Sequence, residues 1–131
     1  MLMTDNLKKQ NFHFSLHKSN YSNELEVIEY KNMIMRYKLF DNEDKKQYEL
    51  RIDTQVAKIE YIKAAGTIYL THTEVPKALE GKGIAKEMVL RTLEDIEKNE
   101  LTLVPLCPFV AAYIKKHPEW RKLVLKGVNI K

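Results

Sequence analysis

Apolar and polar positions alternate along the middle of the chain in a way that predicts a sheet. Residues 47–53 (QYELRID) have the period of a half-buried strand, and Val56–Ile62 continues it after a short turn. A third strand, Thr67–Val75, is rich in β-branched and aromatic residues. Pro76 ends it, because proline has no backbone N–H to donate. The pattern therefore indicates consecutive strands joined by tight turns.

The apolar spacing changes from two to three or four residues after this sheet. From Ile84 to about Asn99 the spacing is helical. The short apolar run Leu101–Pro105 then predicts a strand parallel to the one at Thr67, reached through a helical crossover. Residues 109–115 and 119–126 complete the chain as a terminal helical region, interrupted at Pro118. Strands that precede and follow a helix in this way indicate an α/β (α+β) fold.

The first part of the chain has a weaker pattern. Phe12–His17 alternates, and the mixed apolar run Val27–Phe40 fits a strand, a helix or one of each. We predict an N-terminal extension, residues 1–45, packed on a domain of residues 46–131. The extension would cover a sheet edge, shape a binding site or contribute a dimer contact.

Composition agrees with one soluble unit. The chain has 131 residues, which is room for one core, and 31% of them are charged. We find no long apolar span and no signal-peptide core near the N-terminus, so we expect a cytoplasmic protein with no membrane partner. A monomer or weak dimer is expected.

The net charge is +4, which raises the question of an acidic partner. Basic residues are interspersed with acidic ones except near the C-terminus, where the sequence carries Lys115, Lys116, Arg121, Lys122, Lys126 and Lys131. A solvated helix face explains this cluster, and attraction of an anionic ligand is the alternative. Aromatic residues that could stack on bases are scarce there, so nucleic acid is not an expected partner.

The loop before the first clear helix has the composition of an anion-binding turn. Gly81 and Gly83 carry no side chains, so the backbone N–H groups between Glu80 and Ala85 can approach a ligand, and Lys82 adds a cation. A Walker A loop requires lysine directly after the second glycine, where this chain has Ile84. A dinucleotide-binding fingerprint requires a third glycine, where this chain has Lys86. Both alternatives fail, and a plain strand-to-helix connection remains possible.

The loop fits the Q/R-x-x-G-x-G/A signature of the GNAT superfamily of N-acetyltransferases, with Glu80, Gly83 and Ala85 at its fixed positions. The chain resembles the short, single-domain GNAT-like proteins over residues 47 to 126. It carries their motifs in order: HT-x-VP, GxGIA and the block VPLCPFVAAYIKKHPEW at 104–120. The resemblance implies a GNAT fold of reduced size with a mixed, mostly antiparallel sheet flanked by helices.

The resemblance also implies acetyl-coenzyme A as the co-substrate. The strands at Thr67 and Leu101 would diverge and expose backbone groups to the pantetheine arm, and the glycine loop would hold the pyrophosphate. One departure is Glu80, where the signature has Gln or Arg; its carboxylate must turn to solvent beside a phosphate. The residues expected to bind the cofactor are Thr73, Val75, Glu80, Gly81, Lys82, Gly83, Ile84 and Ala85.

Cys107 is the only cysteine, which excludes an intramolecular disulfide and a cysteine-based metal cluster. It is either a small buried apolar residue or a functional thiol. It follows the strand that would flank the thioester, and a helix starting near Pro108 would place the thiol at a positive helix end. His13, His17 and His117 show no metal-ligand spacing, so no metal is expected.

Two reaction routes are consistent with these residues. In direct transfer, the acceptor amine attacks the thioester, a backbone N–H near Val75 holds the oxyanion, and Cys107 or Tyr113 protonates the leaving thiolate. In the other route, Cys107 first takes the acetyl group itself. The resemblance favours direct transfer, since GNAT enzymes mostly use it.

His72 and Glu74 lie two residues apart on a strand, so their side chains share a face. They are the candidate general base, or else polar residues on a solvated face. The expected activity is transfer of an acetyl group to an amine on a small molecule or a protein lysine. The alternatives are a non-catalytic acyl-coenzyme A sensor and a basic interaction domain.

Overall fold

The computed structural model describes residues 23–130, and its contacts divide the chain after Lys38. Before this point the described residues form a helix, α1 (Glu24–Arg36). Oδ1 of Asn23 accepts the Glu26 N–H at 2.9 Å and so caps the helix. The predicted alternation at 12–17 lies outside the described residues, as do His13 and His17. The expectation that the N-terminal extension packs on the domain stays a prediction.

After Lys38 the chain forms a five-stranded sheet. Its strands are β1 (Leu39–Asn42), β2 (Gln47–Ile52), β3 (Gln55–Ala64), β4 (Thr67–Glu74) and β5 (Thr102–Pro105). Their order in the sheet is the chain order, and all neighbours are antiparallel except β4 and β5, which are parallel. This is the mixed, mostly antiparallel sheet that was predicted. The ambiguous run 27–40 contains both a helix and a strand.

Helix α2 (Ile84–Lys98) connects β4 to β5 and packs on one face of the sheet, against β1 through β4. The apolar side chains of that sheet face alternate with polar ones and pair across strands, as in Tyr48 with Ile59 and Leu50 with Ala57. Met88, Leu93 and other residues of α2 complete a fully buried core. The apolar side chains that recur every two residues in the strands therefore pack against the apolar side chains that recur at helical spacing in α2.

At the edge of this core, two buried tyrosines donate hydrogen bonds to carboxylates. The Tyr48 hydroxyl donates to Oδ2 of Asp95 at 2.7 Å, and the Tyr61 hydroxyl donates to Oδ1 of Asp41 at 2.6 Å. Burial, followed by these carboxylates, raises the pKa of both hydroxyls far above the ordinary value. Both tyrosines therefore stay protonated and tie β1, β2, β3 and α2 together.

The chain ends in helix α3 (Pro108–Lys116) and a 3-10 helix (Pro118–Leu123). The sequence predicted that the segment 119–126 is helical throughout, but the backbone is extended from Val124 onward. There Val124 forms a bridge with Leu103 of β5, and the N–H of Leu125 donates to Leu103 O. Strand β1 begins at Leu39, within the residues 1–45 assigned from sequence to the N-terminal extension, and the division into an extension and a domain of residues 46–131 stays a prediction. Strand β1 has only four residues, which is too short for an alternation of apolar and polar positions to predict it from sequence.

Candidate functional site

Strand β4 extends beyond the end of its parallel neighbour β5. Their ladder runs from Thr67 paired with Thr102 to Leu70 paired with Pro105, and β4 continues to Glu74. The N–H of Cys107 donates to Leu70 O at 2.8 Å, after which the chain enters α3. The last four residues of β4 therefore have no strand partner on the β5 side, and we call the space beside them the β4–β5 gap.

A β-bulge in β4 changes which side chains face this gap. Glu60 pairs with His72 and Tyr61 pairs with Leu70, so Thr71 is the extra residue. Its hydroxyl donates to Glu60 O at 3.2 Å. An extra residue shifts the alternation of the strand by one.

This shift places Thr73 on the face covered by α2, opposite the buried Ile59. There Oγ1 of Thr73 lies 3.1 Å from the Sγ atom of Cys107, and either atom can donate. Cys107 is buried and is the N-cap residue of α3, as the sequence predicted from Pro108. The sequence assigned Thr73 to cofactor binding and Cys107 to chemistry, but gave no signal that the two side chains touch.

The glycine loop before α2 has the backbone geometry of an anion cradle. Gly81 (φ 79°) and Gly83 (φ 74°) are left-handed, and Gly83 is the N-cap. The Glu87 N–H donates to Gly83 O, so the amides ahead of it belong to the first turn, which a helix cannot satisfy internally. A phosphate fits this site, since those amides and the helix dipole favour an anion.

The side chains around the loop agree with this use. Lys82 and Glu80 are both exposed, so the carboxylate that departs from the signature is in solvent, as expected. Ile84 is buried and anchors the first turn of α2. The residues predicted to bind the pyrophosphate are therefore contiguous: 80–83 form a turn, and Ile84 and Ala85 begin α2.

His72 and Glu74 share a face, as predicted. Nε2 of His72 lies 3.7 Å from Oε1 of Glu74, and Oε2 of Glu74 lies 3.8 Å from Nζ of Lys58. Their pairing with Glu60 and Lys58 places them on the sheet face opposite α2. The histidine–glutamate pair and the Thr73–Cys107 contact therefore lie on opposite faces of the same strand end.

Tyr113 lies on α3, six positions after Cys107, and is half-buried. Burial is the main cause that raises the pKa of Tyr113 to about 12, and the negative charges of Glu87, Glu119 and Glu94 add to it. The hydroxyl is therefore protonated at neutral pH, which a general acid requires. Its ring stacks on His117, with centroids 4.1 Å apart. His117 is the C-cap of α3, which agrees with a packing and capping role.

Comparison with known proteins assigns this arrangement to a family. A family profile described as GCN5-related N-acetyl-transferase matches residues 47–123, which hold β2 to β5, the glycine loop and the Cys107 turn. The chain belongs to the GCN5-related N-acetyltransferase family. The fold and the family expected from the ordered motifs are confirmed.

Several proteins are similar to part of this chain. Protein NATD1 of Xenopus tropicalis is 31% identical over 78 residues, which cover 56% of this chain and 71% of the relative. Protein NATD1 of Danio rerio is 26% identical over 96 residues, covering 69% and 86%. Protein NATD1 of Homo sapiens is 31% identical over 78 residues, covering 56% and 68%.

Residues 23–130 contain neither a cluster of metal-ligating side chains nor a membrane-spanning helix. No group of three or more histidine, cysteine, aspartate or glutamate side chains there is placed to hold a metal ion. Over the same residues, no helix has the length and apolar character needed to cross a membrane.

The sheet face opposite α2 carries a buried carboxylate that sequence reasoning missed. Glu49 is only 4% exposed. Its Oε2 accepts from Nε2 of Gln47 at 2.6 Å and Nδ2 of Asn42 at 2.9 Å, and its Oε1 accepts from Nε of Arg51 at 2.9 Å. Burial alone would raise the pKa of Glu49, but these donors and the Arg51 charge hold it below its ordinary value.

We predict that Glu49 makes the fold less stable in acid. A carboxylate whose pKa is depressed by folding stabilises the fold above its unfolded value of 4.5, and this stabilisation is lost as the pH falls through the lower, folded value. Glu49→Gln should cost about 2 kcal/mol at neutral pH, since one buried donor, Gln47, and two partly buried hydrogen bonds, from Asn42 and Arg51, lose a charged acceptor. Urea unfolding from neutral to acidic pH measures both effects.

The matched control is Glu119→Gln, an exposed glutamate on the 3-10 helix. Its unfolding free energy should stay within about 0.5 kcal/mol of the parent. A Glu49→Gln variant that unfolds with the parent's pH dependence would contradict the role of this carboxylate.

Proposed function

We propose that this protein is an acetyl-coenzyme A-dependent N-acetyltransferase that moves the acetyl group directly to an amine. The observation that carries the proposal is the meeting of three elements at one end of the sheet: the β4–β5 gap, the glycine loop before α2 and the Thr73–Cys107 contact. Family membership supports the same co-substrate.

Acetyl-coenzyme A would be held by the backbone. The amides of the loop from Gly81 to Ala85 would bind the pyrophosphate, with Lys82 beside it, and the open edge of β4 would pair with the pantetheine arm. Thr73 and Val75 would flank the thioester. The bound thioester supplies the acetyl group and the thiolate leaving group.

The protein's own residues would then handle two protons. His72 or Glu74, exposed on the face opposite α2, would take a proton from the acceptor ammonium. Cys107 or Tyr113, on the other side of the strand end, would give a proton to the leaving thiolate. The placement of the two pairs on opposite faces of β4 supports this division, because one proton is removed from the attacking amine nitrogen and the other is delivered to a different atom, the leaving sulfur.

We expect saturable micromolar binding in a calorimetric titration of the full chain with acetyl-coenzyme A, followed by release of free thiol when amines are added. Absence of binding at millimolar ligand would contradict the proposal. Binding without transfer to a broad panel of small amines and lysine peptides would instead favour a non-catalytic acyl-coenzyme A sensor.

A further inference from the structure

Lys58 lies directly beside the proposed general base. It pairs with Glu74 across β3 and β4, on the sheet face opposite α2. Its Nζ atom is 3.8 Å from Oε2 of Glu74, and Oε1 of the same carboxylate is 3.7 Å from Nε2 of His72. A lysine amine of the chain itself therefore lies where the proposed function requires the amine of an acceptor, beside a group that can take its proton.

The Lys58 ammonium is accessible and close to the β4–β5 gap. Its side chain is 28% exposed, and it lines an open pocket of about 360 Å³ together with Glu74. Glu74 is the last residue of β4, and the other edge of this part of β4 borders the gap. Only the width of one strand, about 5 Å, therefore separates β3 from the edge of the gap. The flexible four-carbon stem of a lysine can extend across that width.

We propose that Lys58 is an internal acceptor and that the protein acetylates its own Lys58. Glu74 or His72 takes a proton from the ammonium, and the amine nitrogen forms a bond to the acetyl carbon while the bond from this carbon to sulfur breaks. The departing thiolate takes a proton from Cys107 or Tyr113. The nitrogen gives up a second proton to solvent as the amide forms, and the acid regains one from solvent. The modification site rests on the proposed function.

Lys63 is the matched comparison on the same strand. Its side chain is 35% exposed, and its ammonium also pairs with a carboxylate, at 3.4 Å from Oδ2 of Asp41. It lies over the ring of Tyr61, two residues earlier, and therefore on the sheet face covered by α2. The two lysines are similar in exposure and ion pairing, but of the two only Lys58 lies beside the proposed base.

The test is incubation of the full chain with acetyl-coenzyme A, followed by proteolysis and tandem mass spectrometry of the peptides that carry each lysine. We expect Lys58 to be acetylated at least about tenfold faster than Lys63, a small part of the rate that a positioned base supplies. The rate constant should not depend on protein concentration, because the transfer is intramolecular. Equal rates at the two lysines, or faster labelling of a different lysine, would overturn the proposal.

Two variants separate catalysed from chemical acetylation. Gly83→Val, which alters the loop proposed to hold the pyrophosphate, should lower the rate at Lys58 to that at Lys63. Lys58→Arg keeps the positive charge and should keep the calorimetric affinity for acetyl-coenzyme A, but the intact protein should lose its fast acetylation. Fast acetylation that survives either variant would contradict the assignment.

The same experiments separate this proposal from the proposed function. Acetyl transfer to an external amine without preferential labelling of Lys58 would overturn self-acetylation and leave the enzyme activity standing. Absence of acetyl-coenzyme A binding by the parent chain would overturn both.

Discussion

Replacing Gly83 with valine is expected to abolish binding of acetyl-coenzyme A. Gly83 has φ 74° and is the N-cap of α2, so a β-branched residue there is strained and places methyl groups among the amides of the first turn. Loss of two or more charged hydrogen bonds to the pyrophosphate predicts at least about a hundredfold weaker affinity. Calorimetric titration of the variant with acetyl-coenzyme A measures this directly.

Gly127→Val is the matched control. Gly127 also has a positive φ, of 93°, and a side chain there meets nothing within 4 Å. Both variants should lose a similar 1–2 kcal/mol, roughly, of unfolding free energy from backbone strain, but only Gly83→Val should lose the ligand. Retained affinity in a folded Gly83→Val variant would place the ligand elsewhere.

Replacing Cys107 with alanine is expected to leave affinity for acetyl-coenzyme A nearly unchanged and to lower turnover about a hundredfold, the usual contribution of a positioned acid. The physical reason is that the thiol lies at the end of the β4–β5 gap, hydrogen-bonded to Thr73, whereas the proposed pyrophosphate contacts come from the amides of the glycine loop. Steady-state kinetics with the best amine, together with the titration, separates the two effects.

Thr73→Val is the companion variant, because valine keeps the shape of threonine and removes the oxygen 3.1 Å from the sulfur. It should reduce turnover less than Cys107→Ala does. Unchanged turnover in Cys107→Ala would remove the thiol from the mechanism and leave Tyr113 as the candidate acid. An acetyl group found on Cys107 by mass spectrometry, before any amine is added, would contradict direct transfer.

The two faces of β4 show why the sequence could identify the candidate reacting residues but could not predict all the contacts between them. The interval between His72 and Glu74 is local, so their common face follows from the period of a strand. The position of Thr73 against Cys107 depends on the bulge at Thr71, which is defined by how β4 pairs with β3. The sequence of a strand does not by itself show which of its residues is the extra one in a β-bulge.

The same reasoning applies to Glu49. Within QYELRID it is a polar position in an alternating strand, which indicates exposure. It is buried because Asn42 of β1 and two neighbours on β2 enclose its carboxylate.

The sequence by itself determined four of the five strands, the long helix, the glycine loop and, through the order of its motifs, the family. Each of these depends on neighbours within a few residues: hydrophobic period, proline and glycine positions, and motif spacing. The tertiary structure decided the place of β1 in the sheet, the Thr73–Cys107 contact and the polar face around Glu49. These depend on the register between segments distant in the chain, which local periodicity does not encode.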